Sequence, residues 1–178
     1  MSDEYFDILN PDGTSAGYSF PRSRVHREGL WHRSAHIWVC DRHGRILLQR
    51  RALDKDTHPG LWDISAAGHL SAGEPSIDAA VREIREELGL VIPPSRIIFR
   101  FTDREEHSGA TITDREFHDV FTLVVTDEEA EMIRPDPVEL CDIRWLTVDE
   151  FGRELSASPE LFVPHSAEYR WVSEEMLK

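Results

Sequence analysis

One segment of the chain, residues 68–90 (GHLSAGEPSIDAAVREIREELGL), sets a glycine, four glutamates and an arginine at defined spacings. At about 100° per residue, the apolar side chains of a helix here fall within one arc roughly 100° wide: Ile77, Ala80, Val81, Ile84 and Leu88. A second arc, roughly 140° wide by the same rule, holds charged side chains: Arg82, Glu83, Glu86 and Glu87. Pro75 suits the first helical position, and Gly89 suits the residue just past the end. The pattern predicts a helix over residues 75–88 with one buried face.

The glutamates on this helix are close enough to repel one another. Glu83 lies three and four residues before Glu86 and Glu87, and each like-charge pair at such spacing costs an isolated helix about 0.2–0.5 kcal/mol. A hard cation would neutralise them, since carboxylate oxygens suit Mg²⁺ or Mn²⁺ and leave positions for water and phosphates. Arg82 is expected to brace Glu86 across one turn. A solvated acidic face is the usual alternative for two adjacent glutamates, but the complete spacing disfavours it.

The segment resembles, at every defined position, the signature box of the Nudix hydrolase superfamily, GX5EX7RE-aliphatic-XEEXG-aliphatic. The resemblance implies an α/β fold, a Nudix-type α/β/α sandwich with a mixed central sheet, as a single domain over residues 1–178. It also implies hydrolysis of a nucleoside diphosphate linked to another moiety, with Mg²⁺ or Mn²⁺ as cofactor. By the same resemblance, Glu83, Glu86 and Glu87 are the metal ligands, Gly68 shapes the loop before the helix, and Arg82 orients the glutamates.

Residues 31–90 also look like the isopentenyl diphosphate isomerase branch of this superfamily, and the likeness extends over residues 3–150. In that branch a basic pair, here Arg51 and Lys55, reaches the substrate diphosphate. The branch also builds a second metal site, and this chain has histidines and acids in comparable places: His26, His32, His69, Asp114 and Glu116. Such a mixed set suits Zn²⁺ or Mn²⁺ better than Mg²⁺. Ordinary surface or strand-end histidines are the alternative.

The chain departs from the isomerases at residues that carry their chemistry. Their cysteine before Gly-His is replaced by Ala67, which can neither donate nor accept a proton. Their tryptophan after Ser-Pro is also missing, because Glu160 follows Ser158-Pro159. The glutamates of the box are complete, so hydrolysis is favoured over isomerisation. A non-catalytic ligand sensor on the same scaffold is the third hypothesis.

The residue that accepts the proton of the attacking water is not fixed by the motif. Glu83 is the first candidate and Glu116 the second, while other acids stay open: Glu105, Glu106 and Glu139. A strand-end charge is the more typical role for Glu139. Arg51 and Lys55 would neutralise the remaining phosphate charge.

The net charge of the chain is −14 and its pI is near 5.0, which argues against nucleic acid as the main partner. The expected partner is a small-molecule diphosphate, drawn in locally by cations. No signal-like N-terminus or membrane-length apolar run is present, which favours the cytoplasm and no membrane partner. The oligomeric state stays open, with a homodimer among the options.

Periodicity and turn signals predict the other elements. Residues 5–9 and 15–19 form a hairpin, residues 33–40 and 45–51 form strands joined by a turn at 42–44, and further strands lie near 96–102, 115–125 and 140–147. Short helices are expected near 127–133 and 148–155, and a last one within 165–178. The polar stretch Asp103 to Thr113 is expected to be a mobile loop over the site.

Overall fold

The computed structural model describes residues 4–55, 57–108 and 113–176. Its strands are β1 (Tyr5–Leu9), β2 (Ser15–Pro21), β3 (His32–Cys40), β4 (Arg45–Arg51), β5 (Trp62–Asp63), β6 (Ala66–His69), β7 (Ile98–Ser108), β8 (Thr113–Val124) and β9 (Leu140–Thr147). Its helices are α1 (Arg22–Glu28), α2 (Ser76–Leu88), α3 (Asp127–Met132), α4 (Val148–Ala157) and α5 (Ser166–Glu174), with 3₁₀ turns at Pro94–Arg96 and Pro159–Leu161. Within the described ranges, no helix is long and apolar enough to cross a membrane.

The central sheet is mixed. Its main path runs β5-β4-β3-β8-β7, with β6 paired to β3 and β9 paired to β4. The β3–β8 pair is parallel over nine positions, from His32 opposite Glu116 to Cys40 opposite Val124. The other pairs in this sheet are antiparallel, and β1 and β2 form a separate hairpin. The pairing brings the start of β3, the end of β6 and the start of β8 together.

The two faces of the sheet are covered by different helices. Successive side chains of a strand point to opposite faces, so Ile37 and Val39 pack with Ala80 and Ile84 of α2. On the other face, Trp38 packs in a second core cluster that includes Phe151 of α4 and Tyr169 and Val172 of α5. The sheet therefore lies between helical layers, and the predicted α/β/α sandwich is confirmed.

The helix predicted over residues 75–88 is α2, which begins one residue later than predicted. Pro75 is its N-cap, with φ −64° and ψ 141°, and not its first helical residue. Gly89 caps the C-terminus as predicted, in the left-handed conformation with φ 71°. Its backbone N–H donates to the carbonyl of Arg85. A side chain at this φ would be strained, so glycine suits the position.

The predicted loop between Asp103 and Thr113 is wrong for most of its length. Strand β7 continues through Ser108 and β8 begins at Thr113, so this polar stretch is a long antiparallel hairpin. The remaining residues, 109–112, lie outside the described ranges. The strand was missed because its charged side chains are matched by partners across the hairpin, such as Glu106 with Arg115 at 2.8 Å.

Helix α4 begins with a capping box, which gives a testable expectation for stability. The Thr147 hydroxyl accepts from the backbone N–H of Glu150 at 3.2 Å, and the Glu150 carboxylate accepts from the Thr147 N–H at 2.8 Å. Thr147→Ala is expected to lower the free energy of unfolding by about 1 kcal/mol, because one N-terminal N–H loses its partner. Urea denaturation measures this loss. Thr147→Ser keeps the hydroxyl and should cost far less; equal losses for both variants would contradict the explanation.

Candidate active site and metal centres

The glutamates of α2 are less exposed than a charged helix face would suggest. Glu83 and Glu87 are only 8% and 6% exposed, because strand β6 covers them, whereas the side chain of Glu86 is 50% exposed. The Glu87 carboxylate accepts a hydrogen bond from the backbone N–H of Ala67 at 3.1 Å. We call the group of Glu83, Glu86 and Glu87 the box site. Glu83 and Glu87 reach β6 from the C-terminal half of α2, at Gly68 and Ala67 respectively.

Gly68 lies directly beneath Glu83. A Cβ atom built on Gly68 would overlap the Glu83 carboxylate, and even the more distant oxygen, Oε2, would be 2.8 Å from it. No other residue type leaves this space free. The glycine of the motif is therefore required by the position of the first glutamate.

Arg82 holds the glutamates in place from the solvent side. Its Nε and Nη2 donate to the two carboxylate oxygens of Glu74, each at 3.0 Å, and Nη2 also donates to the carbonyl of His69 at 2.9 Å. Its Nη1 donates to Glu83, while the contact with Glu86 is longer, at 3.4 Å. The brace between Arg82 and Glu86 is thus present but weak, and Glu74 and Glu83 are the principal partners.

The electrostatics of the box site suit a divalent cation. Burial raises the pKa of Glu83 to about 7, although Arg82 opposes the shift. Burial and repulsion from Glu83 raise the pKa of Glu87 well above its ordinary value. Both shifts arise because negative charges are gathered away from water without enough positive charge nearby. An all-carboxylate donor set of this kind fits Mg²⁺ or Mn²⁺.

A second group of metal-ligating residues lies beside the box site. We call it the outer histidine site, and it consists of His26, His32, His69, Asp114 and Glu116. The rings of the three histidines lie with centroids 4.9 to 5.2 Å apart. His32 Nε2 is 3.7 Å from a carboxylate oxygen of Asp114 and 3.7 Å from one of Glu116, and His69 Nε2 is 3.1 Å from Glu116. One helix, α1, and three strands, β3, β6 and β8, thus supply the five converging side chains.

Several polar atoms of the outer histidine site are buried without a hydrogen-bond partner in the part of the chain that the structure describes: His26 Nε2, His32 Nε2 and Asp114 Oδ1. The other nitrogen of His32, Nδ1, lies 3.0 Å from the carbonyl of Leu30, which leaves Nε2 for a ligand. Burial lowers the pKa of His26 and of His32 to about 4, so both rings are neutral at pH 7. Neutral imidazoles and unpaired carboxylate oxygens fit a transition metal.

The basic pair borders the box site. Arg51 Nη1 donates to the Asp63 carboxylate at 3.1 Å, and Lys55 donates to Glu139. Asp63 and Glu139 each add to the raised pKa of Glu87 by repulsion. Arg51 and Lys55 are therefore held near the box site by Asp63 and Glu139, the two acids whose charges act on Glu87. Glu139 directly precedes β9, as expected for a strand-end charge, and a part for it in catalysis stays a prediction.

The candidate bases differ in how far their carboxylates are already engaged. Glu116 faces histidines through both oxygens, with His118 Nε2 at 3.4 Å from Oε2 and His69 on Oε1. Glu105 lies 3.2 Å from His165, and Glu106 is paired with Arg115. Glu83, the first candidate base, belongs to the box site.

A further group of histidines was missed by sequence reasoning. We call it the inner cluster, and it consists of His36, His118, His165 and Glu168, all buried on the face of the sheet covered by α5. A signal was present in the strands. His32, Ser34 and His36 alternate along β3, and Glu116 and His118 alternate along β8. Polar residues at every second position of two paired strands indicate a polar patch on one face.

Comparison with known proteins agrees with this architecture. A family model described as NUDIX domain matches residues 30–171. Nudix hydrolase 3 of Arabidopsis thaliana is 36% identical over 169 residues, and the match covers 93% of this chain but 22% of that protein. The chain thus spans about a fifth of the length of that relative.

A further relative and a solved structure are similar to the chain. Isopentenyl-diphosphate Delta-isomerase of Cutibacterium acnes is 33% identical over 183 residues, covering 99% of this chain and 87% of that protein. The crystal structure of DR0079 from Deinococcus radiodurans shares the fold with a TM-score of 0.69 at 20% identity, covering 95% of this chain and 97% of that one. Because the NUDIX match spans most of the sequence and is joined by relatives above 30% identity, the chain belongs to the Nudix hydrolase superfamily.

Proposed function

We propose that this protein is a metal-dependent hydrolase that cleaves the diphosphate linkage of a small molecule, either a nucleoside diphosphate joined to another moiety or another small diphosphate. The observation that carries the proposal is the box site. Glu83 is seated on Gly68 and fixed by Arg82, and Glu86 and Glu87 lie close enough on the same helix for their charges to interact with that of Glu83. In the proposed roles, Glu83, Glu86 and Glu87 hold Mg²⁺ or Mn²⁺.

The substrate is expected to be an anion because the two cations that border the box site, Arg51 and Lys55, have N–H groups that can donate to phosphate oxygens. Lys55 has three N–H donors, and its ion pair is with Glu139; Arg51 has five donors, directed in part to Asp63 and Thr57. A chain with a net charge of −14 repels anions at long range, so these cations act locally. Arg51 and Lys55 would bind the diphosphate and neutralise the charge that develops on its oxygens.

In the chemical step, Glu83 is the preferred residue to accept the proton of the attacking water. Its carboxylate lies inside the box site, whereas both oxygens of Glu116, the second candidate, already face histidines. Bound Mg²⁺ or Mn²⁺ supplies charge neutralisation and a more acidic water. Arg82 acts as a positioning residue, since it grips Glu74 and Glu83 together. The outer histidine site is proposed to hold a second ion, Zn²⁺ or Mn²⁺.

Isomerisation of isopentenyl diphosphate is the second candidate, favoured by the 33% identity to an isomerase and by the outer histidine site. The position of the isomerase cysteine argues against it. Ala67 pairs with His36 across β6 and β3 and is half-buried, so the sheet there offers a methyl group in place of a thiol. A ligand sensor would bind a diphosphate without turning it over.

The test is a panel of diphosphates assayed for cleavage of the diphosphate linkage, with the phosphate-containing products separated by chromatography, in the presence of Mg²⁺, of Mn²⁺ and after chelation, together with an isomerisation assay. The panel contains sugar nucleotides, dinucleotides, nucleoside diphosphates and isopentenyl diphosphate. We expect hydrolysis of at least one compound that ceases on chelation and returns with either metal. Isomerisation without hydrolysis would overturn the proposal in favour of the second candidate, and tight binding without any turnover would favour the sensor.

A further inference from the structure

The inner cluster gathers metal-ligating side chains that the proposed hydrolysis does not use. His36 lies on β3, His118 on β8, and His165 and Glu168 at the start of α5. One ligand atom from each of the four lies within 4.8 Å of the others. All four residues are buried, with Glu168 fully inaccessible.

Two of the imidazoles turn Nδ1 toward the Glu168 carboxylate, and the Nδ1 of His165 faces the neighbouring carboxylate of Glu105. His36 Nδ1 and His118 Nδ1 lie 2.7 and 3.6 Å from Glu168 Oε1. His165 Nδ1 lies 3.2 Å from Glu105 Oε2, and His118 Nδ1 lies 3.7 Å from the same oxygen. Around a tetrahedral ion with bonds of about 2.0–2.1 Å, neighbouring ligand atoms are separated by about 3.3 Å. Within the inner cluster, the separations of 2.7 and 3.6 Å from Glu168 Oε1 to His36 and His118 lie on either side of that distance. One ligand atom of His165 lies within 4.8 Å of the other three, so a small shift of side chains would complete the shell.

The outward-facing nitrogens of two of these histidines meet carboxylates. His165 Nε2 lies 3.0 Å from Asp63 Oδ1, and His118 Nε2 lies 3.4 Å from Glu116 Oε2. Histidines that bind metals almost always give their other ring nitrogen to a carboxylate, a carbonyl or water. Such a partner fixes the ring. In His118 it leaves Nδ1 free to ligate, whereas His165 Nδ1 would have to exchange its contact with Glu105 for the ion.

Glu168 is oriented in the same manner. Trp38 Nε1 donates to Oε2 at 2.8 Å, which turns Oε1 toward the histidines. An independent observation is that His118 Nδ1 is buried, in a residue only 4% exposed, and has no hydrogen-bond partner among the residues that the structure describes. An unpaired buried ring nitrogen is costly, and it is aimed at the centre of the cluster.

We propose that the inner cluster binds one transition-metal ion of the Zn²⁺ class through four ligands: His36, His118, His165 and Glu168. Three imidazoles and one carboxylate suit Zn²⁺, whereas Mg²⁺ prefers an all-oxygen shell. Four protein ligands close the shell, so the ion is structural. The ion links α5, which lies near the C-terminal end of the sequence, to strands β3 and β8 of the sheet.

The experiment counts bound zinc in a protein whose other two sites have been weakened. Glu86→Gln removes a ligand of the box site, and His26→Asn with His69→Asn removes two from the outer histidine site. This triple variant is equilibrated with Zn²⁺, dialysed, and analysed for metal by mass spectrometry. We expect one zinc ion per chain, and substitution by Co²⁺ should give the visible absorption of a tetrahedral ion. No retained zinc, with the circular dichroism of the folded chain, would overturn the proposal.

Two further variants assign the ion to the inner cluster. Glu168→Gln and His118→Asn, each added to the triple variant, should abolish the retained zinc, whereas His43→Asn should not. His43 lies in the exposed β3–β4 turn, with a side chain 64% exposed, and is the matched control. If the combined variants do not fold, Glu168→Gln is made in the wild-type chain, where it must lower bound zinc by one ion per chain. An unchanged count would leave only a hydrogen-bonded network of buried charges.

Discussion

Glu86→Gln is expected to lower kcat at least about 100-fold while the midpoint of thermal unfolding stays unchanged. The reason is that Glu86 contributes charge and an oxygen ligand but little packing. Its side chain is 50% exposed, and its contacts with Arg82 and Arg85 are long, at 3.4 and 3.3 Å. Steady-state kinetics on whichever compound the diphosphate panel identifies measure the loss of kcat. Titration calorimetry with Mn²⁺ measures the accompanying loss of metal affinity.

The matched control is Glu131→Gln, which makes the same change of charge on the exposed surface of α3. It should leave kcat and Mn²⁺ affinity as in the wild type. Retained diphosphatase activity in Glu86→Gln would count against the box site as the metal centre. A large fall in thermal stability would instead mean that Glu86 is needed for folding, and its kinetic loss would then say nothing about catalysis.

Helix α2 could be predicted from the sequence because its determinants are local. The apolar spacing at Ala80, Ile84 and Leu88 and the glycine at 89 all lie within one segment. Hydrophobic periodicity and a left-handed C-cap act over a few residues, so no knowledge of the rest of the chain is needed. The mixed sheet between helical layers followed from the resemblance to the superfamily, and its strands from alternation.

The burial of the charged face of α2 could not be predicted in the same way. The helix period places Glu83 and Glu87 away from the apolar arc, yet both are buried because β6 packs beside them. The contact between β6 and α2 depends on the pairing of β6 with β3. The residues paired between these two strands are about thirty positions apart in the sequence. Periodicity reports which face is apolar, but not which other element covers the rest.

The outer histidine site and the inner cluster differ in how far they could be predicted from the sequence. The residues of the outer histidine site were suggested by likeness to the isomerases, and the parallel pairing of His32 with Glu116 explains how distant segments meet. The inner cluster had no such guide. His36 and His118 come from strands, but Glu168 comes from a helix 132 residues after His36. Spacing along the chain carries no information about a convergence over that separation.

Gly68→Ala is expected to have an effect as large as the loss of a glutamate, although it removes no ligand. The added Cβ would overlap the carboxylate of Glu83, whose buried position is fixed by Arg82 and β6. Either the glutamate or the strand must move, and overpacking of this kind typically costs about 1–3 kcal/mol. We expect kcat to fall about 100-fold, because a displaced ligand no longer holds the metal geometry. Gly152→Ala, which meets nothing within 4 Å in helix α4, is the control and should be neutral or slightly stabilising.

A double-mutant cycle separates this explanation from a general intolerance of β6. If the cost of Gly68→Ala comes from collision with Glu83, then shortening that side chain by Glu83→Ala should make room for the new methyl group. The free energy of unfolding lost on Gly68→Ala should therefore shrink in the Glu83→Ala background, with a coupling energy of about 1–3 kcal/mol. Both single variants and the double variant have a strongly reduced kcat in this view, so urea denaturation is the readout. An undiminished loss in the double variant would show that Gly68 is required by the strand itself, and the seating of Glu83 on Gly68 would lose its role in building the metal site.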